Sequence, residues 1–247
     1  GKPAASIQWQ VNSGSGWSNI GGAIASPLCF NAKATDSGNK YRAVFTNECG
    51  TVNSNEATLT VNTPPVVSLQ PLSQTICEPL QVCFNSTATG TPAPTIQWQV
   101  STNGGSSWGD IGGATANPLC FNVAASFDGN QYRAVFTNKC GSVNSNAATL
   151  TVNTLPVVTL QPVKQSNCAG TQACFSSTAT GKPTPTLQWQ FNTGSGWSDV
   201  PNGVNSPLCF NTILSQNGNQ FRAAFTNSCG TRFSDAATLT VDNCGIA

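Results

Sequence analysis

The stretch Gly38–Gly50, "GNKYRAVFTNECG", recurs as "GNQYRAVFTNKCG" at Gly129–Gly141 and as "GNQFRAAFTNSCG" at Gly218–Gly230. Within it Tyr41, Ala43 and Phe45 alternate with polar or smaller residues, the period of a half-buried strand. The Asn-x-Cys-Gly that follows is a turn signal. Other segments repeat in step with it. "GKPAASIQWQV" at Gly1 returns at Gly90 and Gly181, "SPLCFN" at Ser26 returns at Asn117 and Ser206, and "ATLTV" closes each copy at Val61, Val152 and Val241. A period of about ninety residues is one small domain, and it divides the chain into 1–63, 64–153 and 154–247.

In the middle copy the alternation predicts strand A near Val66–Gln70, A′ near Gln74–Ile76, B over Leu80–Ala88 and C over Thr95–Ser101. It then predicts C′ over Trp108–Ile111, E over Pro118–Val123, F over Asn130–Thr137 and G over Ser142–Val152. No helical period appears. Short strands divided by Gly, Pro and Asn turns, with a Trp on strand C, predict an all-β chain of tandem immunoglobulin-like β-sandwiches. The first copy starts at strand C and lacks strands A and B, leaving strands C to G.

Pro92-x-Pro94-x-x-x-Trp98 and Asp36-x-Gly38-x-x-Tyr41 resemble immunoglobulin domains of the I-set kind. "QVSTNGGSSWGDIGGAT" (Gln99–Thr115) and "YRAVFTNKCGSVNSNAATLTV" (Tyr132–Val152) resemble more narrowly the immunoglobulin-like repeats of long secreted bacterial surface proteins, of Bacteroidota type. The resemblance covers essentially the whole chain. It implies an extracellular array for adhesion or scaffolding, without catalytic residues.

Composition narrows the function. Ten Lys and Arg against nine Asp and Glu give a net charge of +1, too little for a nucleic-acid face. There is no run of apolar residues long enough to enter a membrane as a helix. With no histidine, Ser-His-Asp and Cys-His chemistry is ruled out, and the chain reads as a non-enzyme without cofactor or metal. "STNGGSSW" (Ser101–Trp108) approaches the Asp-box of sialidases, but its Asn-Gly-Gly between strands C and C′ reads as a hairpin turn.

Eleven cysteines without CxxC pairs indicate disulfides in an oxidising compartment, hence a secreted, periplasmic or cell-surface protein. The bridge that usually joins strands B and F beneath the Trp is absent: Ser86 and Ser177 stand at its first position, Ala134 and Ala223 at its second. The cysteines fall on the opposite phase. Strands B and E are antiparallel neighbours in this fold, so outward Cys83 and Cys120, and Cys174 and Cys209, read as cross-strand pairs, with free exposed thiols the alternative.

Cys77 and Cys168 lie at A′–B turns, and Cys49, Cys140 and Cys229 at F–G turns. These turns sit at opposite ends of a domain, about 30 Å apart along a ten-residue strand, but they meet between successive domains. Cys77–Cys229 is therefore expected, with Cys168 reaching Cys244 or a domain of another chain. The intradomain pairs Cys77–Cys140 and Cys168–Cys229 are the rival. Cys29, Cys49 and Cys140 remain as intermolecular candidates.

The incomplete first copy has two readings: a processed or partial chain, or strands supplied by another copy through strand donation. Trp9, Trp98 and Trp189 on strand C are expected in the core. Trp17, Trp108 and Trp197, which start C′, are possible ligand-facing residues for surface glycans, or else pack against strand C. Arg42, Arg133 and Arg222 are expected on a solvated face. Carboxylate-free linkers argue against junction calcium. Lys33, aligned with Ala124 and Ile213, argues against a Lys–Asn isopeptide staple, and Pro64, Pro65 and Pro156 favour short, stiff linkers. The expected role is a disulfide-stapled structural array in a cell-surface stalk or filament; the alternative is an adhesin or glycan-binding accessory array.

Overall fold

The computed structural model describes residues 3–245. Repeat 2 is complete, with two sheets. Strand C (Thr95–Ser101) pairs antiparallel with F (Gln131–Asn138) and with a short C′ (Gly109–Asp110). Strand F pairs with both parts of G, Gly141–Asn144 and Ala148–Leu160. Strand A′ (Gln74–Cys77) joins the far edge of G in parallel. The facing sheet is built on strand B, whose first part (Gln81–Phe84) pairs with E (Leu119–Asn122) and whose second part (Thr87–Thr91) pairs with A (Thr63–Leu69). Repeat 3 reproduces the plan, with its strand A supplied by the end of Ala148–Leu160. The only helical segments among the described residues are three-residue 3-10 turns before strand F, at Ala34–Asp36, Ala125–Phe127 and Leu214–Gln216. The chain is an all-β tandem of immunoglobulin-like domains.

Two strands differ from their expected form for a local reason. Strand B is not one strand over Leu80–Ala88, because it changes partner at Ser86. There the backbone N–H donates to Asn117 Oδ1 and the hydroxyl donates to the Leu69 carbonyl at 2.8 Å. Strand G is interrupted at Ser145, whose hydroxyl accepts from Ala134 N–H while its own N–H donates to the Ala134 carbonyl. Its second part then runs through Asn153, so the backbone passes from repeat 2 to repeat 3 within one strand, Ala148–Leu160, without an intervening linker.

The cores follow the alternation. Val82, Phe84, Trp98, Tyr132, Ala134 and Phe136 are buried in repeat 2, and Phe175, Trp189, Phe221, Ala223 and Phe225 in repeat 3. Phe84 stacks on Tyr132 and Phe175 on Phe221, each at 4.8 Å between ring centroids. Trp98 and Trp189 are fully buried, and each indole N–H donates to a carbonyl, of Ala116 at 3.0 Å and Asn205 at 2.9 Å. Truncating such a ring to alanine costs about 3–5 kcal/mol.

Repeat 1 departs from this. Strands C (Ser6–Asn12), C′ (Trp17–Asn19), F (Lys40–Asn47) and G (Gly50–Asn53, Ala57–Thr58) form. Strand E does not, contrary to the expectation of strands C to G. Its counterparts in repeats 2 and 3 take their ladder partners from strand B, which has no equivalent among the described residues of repeat 1. Trp9, expected in the core, is only half-buried for the same reason.

Candidate functional site

The cysteines form two kinds of bridge. Cys83 lies directly opposite Cys120, and Cys174 opposite Cys209, in the B–E ladders. Both pairs are disulfide-bonded with Cα atoms 4.2 Å apart, close to the spacing of a non-hydrogen-bonded antiparallel pair. They face away from the core, because Val82 and Phe84 on either side of Cys83 face into it. Under each core Trp the strand F position holds alanine: Ala134 is registered with Trp98, and Ala223 with Trp189.

The second kind crosses between repeats. Cys77, at the end of strand A′, is bonded to Cys229 in the F–G turn of repeat 3, with Cα atoms 5.6 Å apart. That turn is held by Asn227, whose Oδ1 accepts the Cys229 N–H and whose Nδ2 donates to the carbonyls of Thr154 and Pro183. Gly230 follows at φ 136°, where a side chain is strained. A further bridge stays within repeat 3, where Cys168 is bonded to Cys244 with Cα atoms 5.3 Å apart. Cys77 and Cys140 are not joined, nor are Cys168 and Cys229. Cys29, Cys49 and Cys140 are unpaired and exposed.

Polar contacts reinforce the same boundary. Lys182 of repeat 3 forms an ion pair with Asp128 in the E–F loop of repeat 2. The Lys182 hydrogen bond holds the Asp128 carboxyl below its ordinary range, helped by the Val152 N–H, with burial opposing. Asn153 Nδ2 donates to Ser228 Oγ at 3.3 Å.

A second recurring constellation covers the C′–C–F face. Arg42, Arg133 and Arg222 place their guanidinium carbons 4.2, 4.2 and 4.1 Å from the ring centroids of Trp17, Trp108 and Trp197. Each arginine Nε donates to a strand C glutamine, Gln10, Gln99 or Gln190. Each glutamine Nε2 in turn donates to Asn19, Asp110 or Asp199 on C′. The arginines expected on a solvated face are thus ordered, and one face of each half-buried Trp is already occupied. In repeat 3 Phe233 closes on the other side of Arg222 at 3.9 Å, and burial lowers the Arg222 pKa. The alternation alone does not reveal this stacking, which depends on C′ folding back beside strand C.

The Asp-box-like stretch is a turn. Asn103 Oδ1 accepts from Ser107 N–H and from the Ser101 hydroxyl, while Ser101 Oγ accepts from Gly105 N–H. Asn12 and Asn192 each accept two glycine N–H bonds in the shorter turns of repeats 1 and 3.

The third feature is a face of repeat 1 that the described residues leave uncovered. Phe30 is 48% exposed and Ala57 is exposed, whereas their counterparts Phe121 and Ala148 are half-buried and buried. Leu59 and Val61, aligned with fully buried Leu150 and Val152, are half-buried and lie outside any strand.

Residues 1–63 and 71–154 match the family described as "Domain of unknown function (DUF8696)". The chain belongs to that family. Among curated proteins, Endoglucanase C of Cellulomonas fimi is 40% identical over 183 residues, 73% of this chain and 16% of that protein. Hemicentin-1 of Mus musculus is 32% identical over 160 residues, 64% of this chain and 3% of that protein. The chain therefore spans a small fraction of the length of these relatives. In structure, a three-domain I-band fragment of titin superposes with a TM-score of 0.64 at 16% identity, covering 98% of this chain and 89% of the fragment. Another neighbour, the first two immunoglobulin domains of DIP-gamma, has a TM-score of 0.53 at 14% identity over 72% of this chain and 98% of that one. These likenesses establish the tandem immunoglobulin-like fold of the DUF8696 chain. Its disulfide-rich domains resemble those of extracellular proteins, and no helix among the described residues is long and apolar enough to cross a membrane.

Proposed function

We propose that this chain is a stretch of an extracellular structural array, a disulfide-stapled rod of immunoglobulin-like domains in a cell-surface stalk or filament, with no catalytic activity of its own. The bridge between Cys77 and Cys229 is the observation that carries this reading. Together with the uninterrupted strand Ala148–Leu160, it ties repeats 2 and 3 at two points, and two tethers remove the hinge that one would allow. The outward B–E bridges add resistance to unfolding within repeats 2 and 3. The decisive experiment is disulfide mapping by mass spectrometry on unreduced, thiol-blocked protein from its native source. A peptide joining Cys77 to Cys229 supports the stapled rod. Linkage of Cys77 to Cys140 would leave independent domains and overturn it.

The likeness to part of Endoglucanase C favours a second reading, an accessory array of a glycan-acting secreted protein or an adhesin. On that reading the solvent-accessible parts of half-buried Trp17, Trp108 and Trp197 would stack on sugar rings. Binding on a glycan array that is lost in Trp108→Ala supports it, and absence of binding by the unaltered chain sinks it.

A further inference from the structure

We infer that Cys29 and Cys140 together form a two-thiol receptor for one strand–turn–strand segment of the pattern Cys-x5-Cys. The occupant is an A′–B segment with the chemistry of Gln74–Phe84, seated on the face of repeat 1 that the described residues leave uncovered. This rests on the stapled-array reading and deepens it.

Repeats 2 and 3 show what covers that face. In each, one segment carries both cysteines with five residues between them, Cys77 and Cys83, then Cys168 and Cys174. The second cysteine bonds to strand E of its own repeat, and in repeat 2 the first bonds to the F–G turn of the following repeat. Cys29 aligns with Cys120 and Cys209, and Cys140 aligns with Cys229. The two thiols that such a segment in repeat 1 would engage are therefore both unpaired and exposed, although 111 positions separate them.

The backbone leaves room for the same segment. Leu150–Asn153 pairs with strand A′, whereas the aligned residues 59–62 have no strand partner. Leu119–Asn122 pairs with strand B, whereas the aligned residues 28–31 have none. Phe84 stacks on Tyr132 and lies 6.3 Å from Phe121; in repeat 1 the corresponding Phe30 and Tyr41 lie 5.2 Å apart, tilted, with no counterpart of Phe84 among the described residues. The junction carrying Cys140 is anchored like the one carrying Cys229. Asn138 Nδ2 donates to the Thr63 carbonyl as Asn227 Nδ2 does to Thr154, both at 2.8 Å. On the other side, Val61 N–H donates to Ser37 Oγ as Val152 N–H does to Asp128 Oδ1. Only Asn62 separates the two anchor points.

The test adds a peptide of residues 74–84, both cysteines supplied as mixed disulfides with glutathione, to the full chain. Each new bond forms when a protein thiolate attacks the peptide sulfur and expels one glutathione thiolate, so no further oxidant is consumed. The expected product is a one-to-one adduct whose map links Cys29 to the peptide's second cysteine and Cys140 to its first. Amides of residues 28–31 and 59–62 then gain protection from hydrogen exchange by at least tenfold. A peptide with the order of Val82 and Cys83 reversed should give less than a tenth of that adduct. Random linkage, equal reaction of the reversed peptide, linkage to Cys29 with Cys140 left in glutathione exchange, or no adduct would each overturn the inference. The same map reports Cys77–Cys229 independently, so failure of the array reading is seen separately.

Discussion

Cys77 and Cys229 are bonded across the boundary between repeats 2 and 3, with Cα atoms 5.6 Å apart although they lie 152 positions apart in sequence. The two turns that carry them lie at opposite ends of their own domains. They meet because strand Ala148–Leu160 leads out of one sandwich and into the next with no residue free of pairing constraint between them. The bridge therefore acts on the angle between domains more than on either core.

The double variant Cys77→Ser/Cys229→Ser is expected to keep both cores folded and to loosen their relative orientation. Small-angle scattering should show a wider distribution of chain dimensions, and each domain should still unfold cooperatively, at a lower guanidinium midpoint because the 152-position loop is no longer closed. A loss of cooperative folding in repeat 2 would contradict this assignment.

Removing the cross-strand bridge of repeat 2 with Cys83→Ala/Cys120→Ala opens a loop of 37 positions. The chain-entropy estimate for that closure is about 4 kcal/mol. Denaturant unfolding of the variant should show repeat 2 destabilised by roughly 2–4 kcal/mol, with repeat 3 unchanged because Cys174–Cys209 is intact.

Trp108→Ala removes the surface against which Arg133 stacks. The loss should be about 1–2 kcal/mol, combining the cation–π contact with lost apolar burial. Tryptophan fluorescence during chemical unfolding measures it. Trp197→Ala should cost repeat 3 less, since Phe233 still covers Arg222.

Asp128 titrates below its ordinary value because of Lys182 and the Val152 N–H. Its pKa is lower folded than unfolded, so its contribution is present above the unfolded value, about 3.9, and lost as pH falls through the folded one. Both side chains are substantially exposed, which limits the contribution to about 1 kcal/mol or less. Carboxyl-carbon NMR should place the Asp128 midpoint below the usual aspartate range, and Lys182→Ala should move it upward. An unchanged midpoint in that variant would remove Lys182 as the principal cause.

Sequence alone determined the repeat period, the order of strands in repeats 2 and 3, their buried faces and the absence of a core bridge. Each follows from short-range rules: alternation places Phe84 and Trp98 inward and Cys83 outward, and Asn-Gly turns mark where strands end. Ser86 and Ala134 announce the missing bridge by identity alone. Tertiary structure decided what depends on residues far apart in the chain. Strand B splits at Ser86 because two strands compete for it, and strand E is not formed in repeat 1 because no strand among the described residues offers it a ladder partner. Arg42, Arg133 and Arg222 read as solvated until the C′ hairpin folds a Trp ring over each. Alternation places Cys77 and Cys229 at the ends of their domains, but only the continuous strand across Asn153 sets which ends meet.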